Sequence, residues 1–351
     1  MHKTSHPSPT DTLHEGPLAT PLADLHLHVG GAVAPHVLWS IAHQQGYKLP
    51  AKNYWEFAEL VTASPNKVSS LDSYLHILHT WTEKIQSSPA AIERSVYEII
   101  GKEYRSSRVE LLELRFNPMK RNEGGERDLD HIIHAALRGM DRACLEYNVR
   151  AGLIFCLARE FSPELNEIIL KKAIRYRGRG VVGIDLAGTE VGAFERSEDE
   201  SVLTKYSELF ARARDAGLGT TVHTGETLNT DAAGVARVIR TLRPDRIGHG
   251  IRAAYSDEAM EELVKSKVVL EICPSSNLAT RAVSGLDELG RILRRFMDHD
   301  IAFTINTDGT YLLGTNMKQE IDLLVNSRVL SPVEALSAVQ TSYHATFIPK
   351  P

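Results

Sequence analysis

A TIM-type (β/α)8 barrel, an α/β fold, with a large helical insertion after its first strand is predicted by three observations on the 351-residue chain. Eight short apolar or β-branched runs alternate with amphipathic stretches of helical length. That alternation marks a parallel βα array, and eight is the number that closes a barrel. Histidines and acidic residues gather at the C-terminal ends of four of the runs, and on a closed barrel all such ends face one funnel. One connection, residues 30–110, is 81 residues long and out of proportion to the others.

The strands are expected at residues 23–29, 111–117, 152–158, 181–188, 219–226, 246–250, 268–274 and 302–308. Helices are expected at 130–146, 163–176, 201–216, 257–265 and 286–299 among others, and within the long connection at 35–46, 54–62, 71–85 and 90–106. The loops after the strands form the catalytic face of such a barrel, so an enlarged first loop is expected over that face as a cap. No repeat of fixed period and no low-complexity linker divides the chain. Residues 21–351 therefore read as one barrel domain, with 30–110 its helical cap insertion and 1–20 a polar, flexible tail.

Composition narrows the partners. Lys and Arg number 40 against 45 Asp and Glu, a net charge of −5, which offers no broad electrostatic footprint for nucleic acid or an anionic membrane. No run approaches the roughly 18 apolar residues that span a bilayer, and the first 20 residues lack the apolar core of a signal peptide. Cys144, Cys156 and Cys273 show no CxxC spacing, so neither a disulfide framework nor a cysteine zinc cage is indicated. A cytoplasmic setting is expected.

His26 and His28 stand at i and i+2 of the first strand and project to one side. Two inward imidazoles need polar partners, because an unpaired buried polar group costs on the order of a few kcal/mol. The fifth strand ends in His223-Thr224-Gly225-Glu226, the sixth in Gly248-His249-Gly250, and the eighth in Thr307-Asp308-Gly309. His26, His28 and His223 as nitrogen ligands with Asp308 as an oxygen ligand satisfy a zinc site. Glu226 and His249 then remain for acid–base work. A structural zinc is disfavoured, since such sites are usually closed and cysteine-rich.

In order, ADLHLHVGGA, GIDLAGTE, VHTGE, RIGHG, EICPSSN and INTD resemble the motifs of the adenosine deaminase family, of the metal-dependent hydrolase superfamily. ELRFNP is similar to that family's second-strand segment. The resemblance covers about residues 22–345. It implies one zinc ion per chain held by His26, His28, His223 and Asp308, and a small purine nucleoside as substrate. Glu226 would protonate ring nitrogen N1, making C6 more electrophilic. His249 would orient the attacking water and help remove its proton, with Asp308 assisting. The backbone N–H of Gly188 would bond ring nitrogen N3, and ammonia would leave C6. The fourth strand, GIDLAG, supplies no lysine to bridge two metals, so one ion is the expected count. The H-x-E…P-C-x-x-C pattern of the unrelated zinc deaminases is absent.

Two positions depart from the family pattern. Adenosine-specific members carry an acid two residues after the second histidine, where it binds the ribose 5′-hydroxyl; here that position is Gly30. They also carry a second aspartate after the last strand, hydrogen-bonded to purine N7; here it is Gly309. The loss at Gly30 predicts room for a 5′ extension, as in 5′-methylthioadenosine or aminodeoxyfutalosine, with Trp55, Phe57, Tyr74 and Trp81 of the cap available either to receive it or to form the cap's own core. Thr310, Asn277 or water is the expected substitute at N7. His76 with His79 and His131 with His134 read as ordinary helix positions, Arg115 and Arg159 as partners of barrel carboxylates, and Asp185 either as a support for a histidine or as a core hydrogen bond. Two alternatives stand beside the nucleoside deaminase: a mononuclear hydrolase deaminating a free base or other heterocycle, and a non-catalytic barrel that binds without turnover.

Overall fold

The computed structural model describes residues 20–64, 66–191 and 200–350. Its eight strands are β1 (Leu22–His28), β2 (Val109–Phe116), β3 (Arg150–Ala158), β4 (Val181–Ala187), β5 (Gly219–Thr224), β6 (Arg246–His249), β7 (Val269–Ile272) and β8 (Phe303–Ile305). They lie side by side in sequence order, and every ladder is parallel. The seam between β8 and β1 is drawn together by one bridge, Leu27 to Asp308. There the His28 N–H donates to the Asp308 carbonyl and the Asp308 N–H to the His26 carbonyl, both at 2.8 Å. This is the expected TIM-type barrel, nearly closed. The expected tail, residues 1–20, lies outside the described residues except for Thr20.

Local chemistry sets the helix starts. Three helices open on a Ser-Pro pair: Ser88 before Pro89–Ser107, Ser162 before Pro163–Tyr176, and Ser331 before Pro332–Ala345. Each serine side chain accepts from a backbone N–H of the first turn, while proline at the first position gives up a donor that had no partner anyway. Outward strand residues such as Leu112, Leu114, Val222 and Ile247 are buried in the core between the sheet and the outer helices. Pro89–Ser107 packs on Leu129–Glu146 and β2 as a regular member of the outer helical ring.

Two expectations are corrected. The stretch 268–274 stops being a strand at Ile272, because Pro274 begins the short helix Pro274–Ala279. The single helix expected at 71–85 is Leu71–Ile77 and Glu83–Ile85 joined by a π-helical turn, Leu78–Thr82. Such turns recur at functional positions because they re-aim side chains around the helix axis.

The barrel interior is built in layers. At the N-terminal ends of the strands, Ala23, Leu25, Leu111, Ile154, Val182 and Ile348 form a small apolar cluster. Above it lies a buried ionic layer in which Arg115 pairs with Asp185 (3.1 Å) and Glu271 (2.9 Å), and Arg246 with Glu271 (2.7 Å) and Glu113 (2.5 Å). The histidines sit on that layer.

Candidate active site

Three of the four proposed ligands, His26, His223 and Asp308, are aimed by a hydrogen-bonding partner. His26 Nδ1 lies 2.7 Å from Glu271 Oε2, and His223 Nδ1 lies 3.0 Å from Asp185 Oδ2. An imidazole N–H donated to a carboxylate leaves the other ring nitrogen with its lone pair outward, the tautomer a metal needs. Burial, and then neighbouring charges, hold His26 and His28 well below the usual imidazole value, so both are neutral. Ser276 donates to Asp308 Oδ2 at 2.6 Å, which leaves Oδ1 facing His26 Nε2 at 3.7 Å and His28 Nε2 at 3.6 Å.

These donors fit a cation. His26 Nε2 is fully buried and has no hydrogen-bond partner among the described residues, an arrangement that costs roughly 1–3 kcal/mol unless something binds there. His28 Nε2 and His223 Nε2 stand 3.1 Å apart. The donor atoms form overlapping triads: His26, His28 and Asp308; His26, His223 and His249; and His28, Asp185 and His223. The four expected ligands thus converge, with His249 close beside them. Three nitrogens and one carboxylate oxygen suit zinc.

Glu226 and His249 face each other beside this cluster, Oε2 to Nε2 at 3.6 Å. Burial, with the charges of Asp308 and Glu190 behind it, pushes the Glu226 carboxyl well above the carboxylate range. A carboxyl in that state carries a proton near neutrality and can donate it. Burial holds His249 well below the imidazole range, so it is neutral and can accept one. The Asn277 amide meets His249 Nδ1 at 3.0 Å and fixes the ring; turned with its oxygen toward the ring, that amide accepts from Nδ1–H, the tautomer that leaves the Nε2 lone pair toward the cleft for a proton. His249 and Asp308 both have positive φ, 61° and 62°. Non-glycine residues persist in that region only where their surroundings impose it, commonly at functional sites.

One cleft is lined by His28, His223, Glu226, His249 and Asp308 on the barrel side and by Leu71, Tyr74, Leu75, Leu78, His79 and Glu83 on the cap side. Gly188 lines it too, at φ 113°, a conformation that glycine adopts without strain. The other two glycines behave differently from the open positions expected of them. A Cβ on Gly30 would lie 3.0 Å from Glu83 Cγ and 3.2 Å from Glu83 Oε1, so the space is already filled by a carboxylate from the cap. A Cβ on Gly309 would lie 2.5 Å from the Tyr74 hydroxyl oxygen.

Several expectations change accordingly. Thr310 donates to Glu103 Oε1 at 2.9 Å, and Asn277 is engaged with His249, so neither is free to replace a residue-309 side chain. Of the four cap aromatics, only Tyr74 lines the cleft: Phe57 is buried in the main core and Trp55 is 75% exposed. Arg115 is an ion-pair partner, as expected, whereas Arg159 donates to the carbonyls of Leu186 and His223. Asp185 does support a histidine. His131 meets Glu126 and His134 meets Tyr176, as ordinary helix positions would.

Sequence reasoning missed Glu271, Ser276 and Glu83, and named Tyr74 only as one of four cap aromatics available to a 5′ extension or to the cap's own core. Glu271 and Ser276 lie inside the EICPSSN segment, and the alternation of β7 turns Glu271 inward. Glu83 stands four residues after His79, to which it pairs at 2.6 Å, and also pairs with Arg121 at 2.9 Å. Against the upward push of burial, Arg121 and then His79 hold its carboxyl below the usual range, so it is ionised.

The sequence model of the adenosine deaminase family matches residues 21–351. The chain belongs to the adenosine deaminase family. It is accordingly an aminohydrolase of a metal-dependent family, whose reaction class is hydrolytic deamination of adenosine or a related nucleotide. An adenosine deaminase from Shewanella denitrificans is 33% identical over 288 residues, covering 82% of each chain. One from Vibrio vulnificus is 30% identical over 329 residues, covering 93% of this chain and 94% of that one. Among solved structures, an adenine deaminase from Arthrobacter aurescens matches with a TM-score of 0.80 at 23% identity, over 93% of this chain and 94% of that one. The N6-methyl-AMP deaminase from Arabidopsis thaliana matches with a TM-score of 0.77 at 23% identity, over 94% and 93%. Both likenesses establish the shared barrel. No helix among the described residues is long and apolar enough to cross a membrane.

Proposed function

We propose that this family member is a zinc-dependent deaminase of a 6-aminopurine nucleoside with an electrically neutral 5′ end. Adenosine or an adenosine with an apolar 5′ extension, such as methylthioadenosine, would give the 6-oxopurine and ammonia. The observation that carries the reading is the placement of Glu226 Oε2 and His249 Nε2 3.6 Å apart beside the histidine–aspartate cluster, where burial pushes the carboxyl up and the imidazole down.

His26, His28, His223 and Asp308 would hold one zinc ion, whose Lewis acidity makes water nucleophilic near neutral pH. The chain's own groups do the rest. Glu226 donates its proton to ring nitrogen N1, drawing electron density from C6. His249 Nε2 orients the attacking water, takes its proton, and returns it to the departing amine. Asp308, held by Ser276, stays in register with both. The Gly188 N–H would donate to N3 of the ring. Three cysteines without a disulfide favour a reducing, cytoplasmic setting.

Glu83 decides the substrate class within this reading. It occupies the space beside Gly30, where family relatives meet the 5′ end, and it is ionised. A carboxylate there opposes a 5′ phosphate, since like charges brought together cost several kcal/mol. Leu71, Leu75 and Leu78 on the same wall favour an apolar group. With zinc-loaded protein, kcat/KM for adenosine and methylthioadenosine is expected to exceed that for AMP and for free adenine by about two orders of magnitude. A preference for AMP or adenine would overturn the nucleoside assignment.

A further inference from the structure

The cap places one polar atom in the cleft that the chemistry above leaves unused. Tyr74 is 2% exposed, and its hydroxyl is buried without a hydrogen-bond partner among the described residues. The ring is packed with Val68, Leu71, Ile77, Leu78 and Leu312, while the residue lines the same cleft as Glu226, His249 and Asp308. The hydroxyl oxygen lies over the backbone of the strand-end glycines, 2.5 Å from where a Cβ on Gly309 would stand and 3.4 Å from one on Gly31. Any side chain at 309 would displace it. The glycine following Asp308 is therefore the space in which the cap's phenol sits.

A buried, unpaired hydroxyl is costly to keep, and the cost is recovered only when a ligand supplies a partner. Burial, with the Asp308 carboxylate nearby, keeps the phenol protonated, so what it offers is a donor. The acceptor follows from the substrate reading, on which this inference rests. In a 6-aminopurine, C6 is flanked by N1 on one side and by C5 and N7 on the other. With C6 at the Asp308–His249 end and N1 at Glu226, N7 is the acceptor left on the opposite flank of C6, next to residue 309.

We propose that the Tyr74 hydroxyl donates a hydrogen bond to purine N7 and is a base-specificity residue of this site. The cap thus takes part in reading the base as well as in covering it. A donor built for one acceptor rejects an isostere lacking that acceptor strongly, because the donor is then left unpaired. It tolerates groups elsewhere on the ligand.

The test compares adenosine with 7-deazaadenosine, in which N7 is replaced by C–H, using the zinc-loaded wild type and Tyr74→Phe. Phenylalanine keeps the ring in its apolar bed and removes only an oxygen that has no partner in the fold, so the melting temperature is expected to hold. The wild type is expected to prefer adenosine in kcat/KM by at least tenfold more than Tyr74→Phe does, because the intrinsic effect of the ring change cancels in that ratio. The same preference in both proteins would overturn the assignment of Tyr74 while leaving the deaminase reading in place. No ammonia from either nucleoside with the wild type would remove the deaminase reading and the Tyr74 role with it.

Discussion

Glu226→Gln is expected to lower kcat by roughly 10²- to 10⁴-fold, the usual range for losing a general acid, while bound zinc stays unchanged. Glutamine keeps the shape and can still offer an N–H to ring nitrogen N1, but it has no proton to transfer. The buried carboxyl does, because burial and the charges of Asp308 and Glu190 hold it protonated. Metal content measured beside turnover separates the roles. If zinc falls with activity, Glu226 belongs among the ligands and the division of labour proposed here is wrong. If neither changes, the proton for N1 comes from elsewhere.

Removal of the Arg115 guanidinium carries the largest expected cost to the fold. Arg115→Met is expected to lower the unfolding free energy by about 3–5 kcal/mol, because breaking a buried ion pair strands the charge left behind. Asp185 would lose its guanidinium partner and Glu271 would keep only Arg246, and each carboxylate also supports a site histidine, His223 and His26. The same layer that stabilises the barrel therefore aims the ligands. Urea unfolding of the two proteins measures the effect, and a loss under about 1 kcal/mol would show that the layer relaxes around the missing charge. Zinc affinity is expected to fall along with stability.

The barrel was legible because its signals are local. Runs such as ADLHLHV and VVGIDLAG announce strands, and the amphipathic stretches between them announce helices. The strand-end residues His26, His28, His223, Glu226, His249 and Asp308 could be gathered because a closed barrel puts all C-terminal strand ends around one funnel. The cap did not follow such a rule. The π-helical turn at Leu78–Thr82 leaves no clear trace in a period-3.6 pattern. Nothing in the local sequence ties Tyr74 to Gly309 or Glu83 to Gly30, since the pairs are 235 and 53 positions apart. Read alone, each glycine suggested a missing group and an open space. In the fold, both spaces are filled by the cap.

Ammonia release tests the central claim most directly. Zinc-loaded protein incubated with adenosine or methylthioadenosine is expected to form ammonia and the 6-oxopurine nucleoside in equal amounts, to stop when a chelator strips the metal, and to resume when zinc is restored. Turnover that ignores the chelator, or no ammonia from any 6-aminopurine nucleoside, would contradict it.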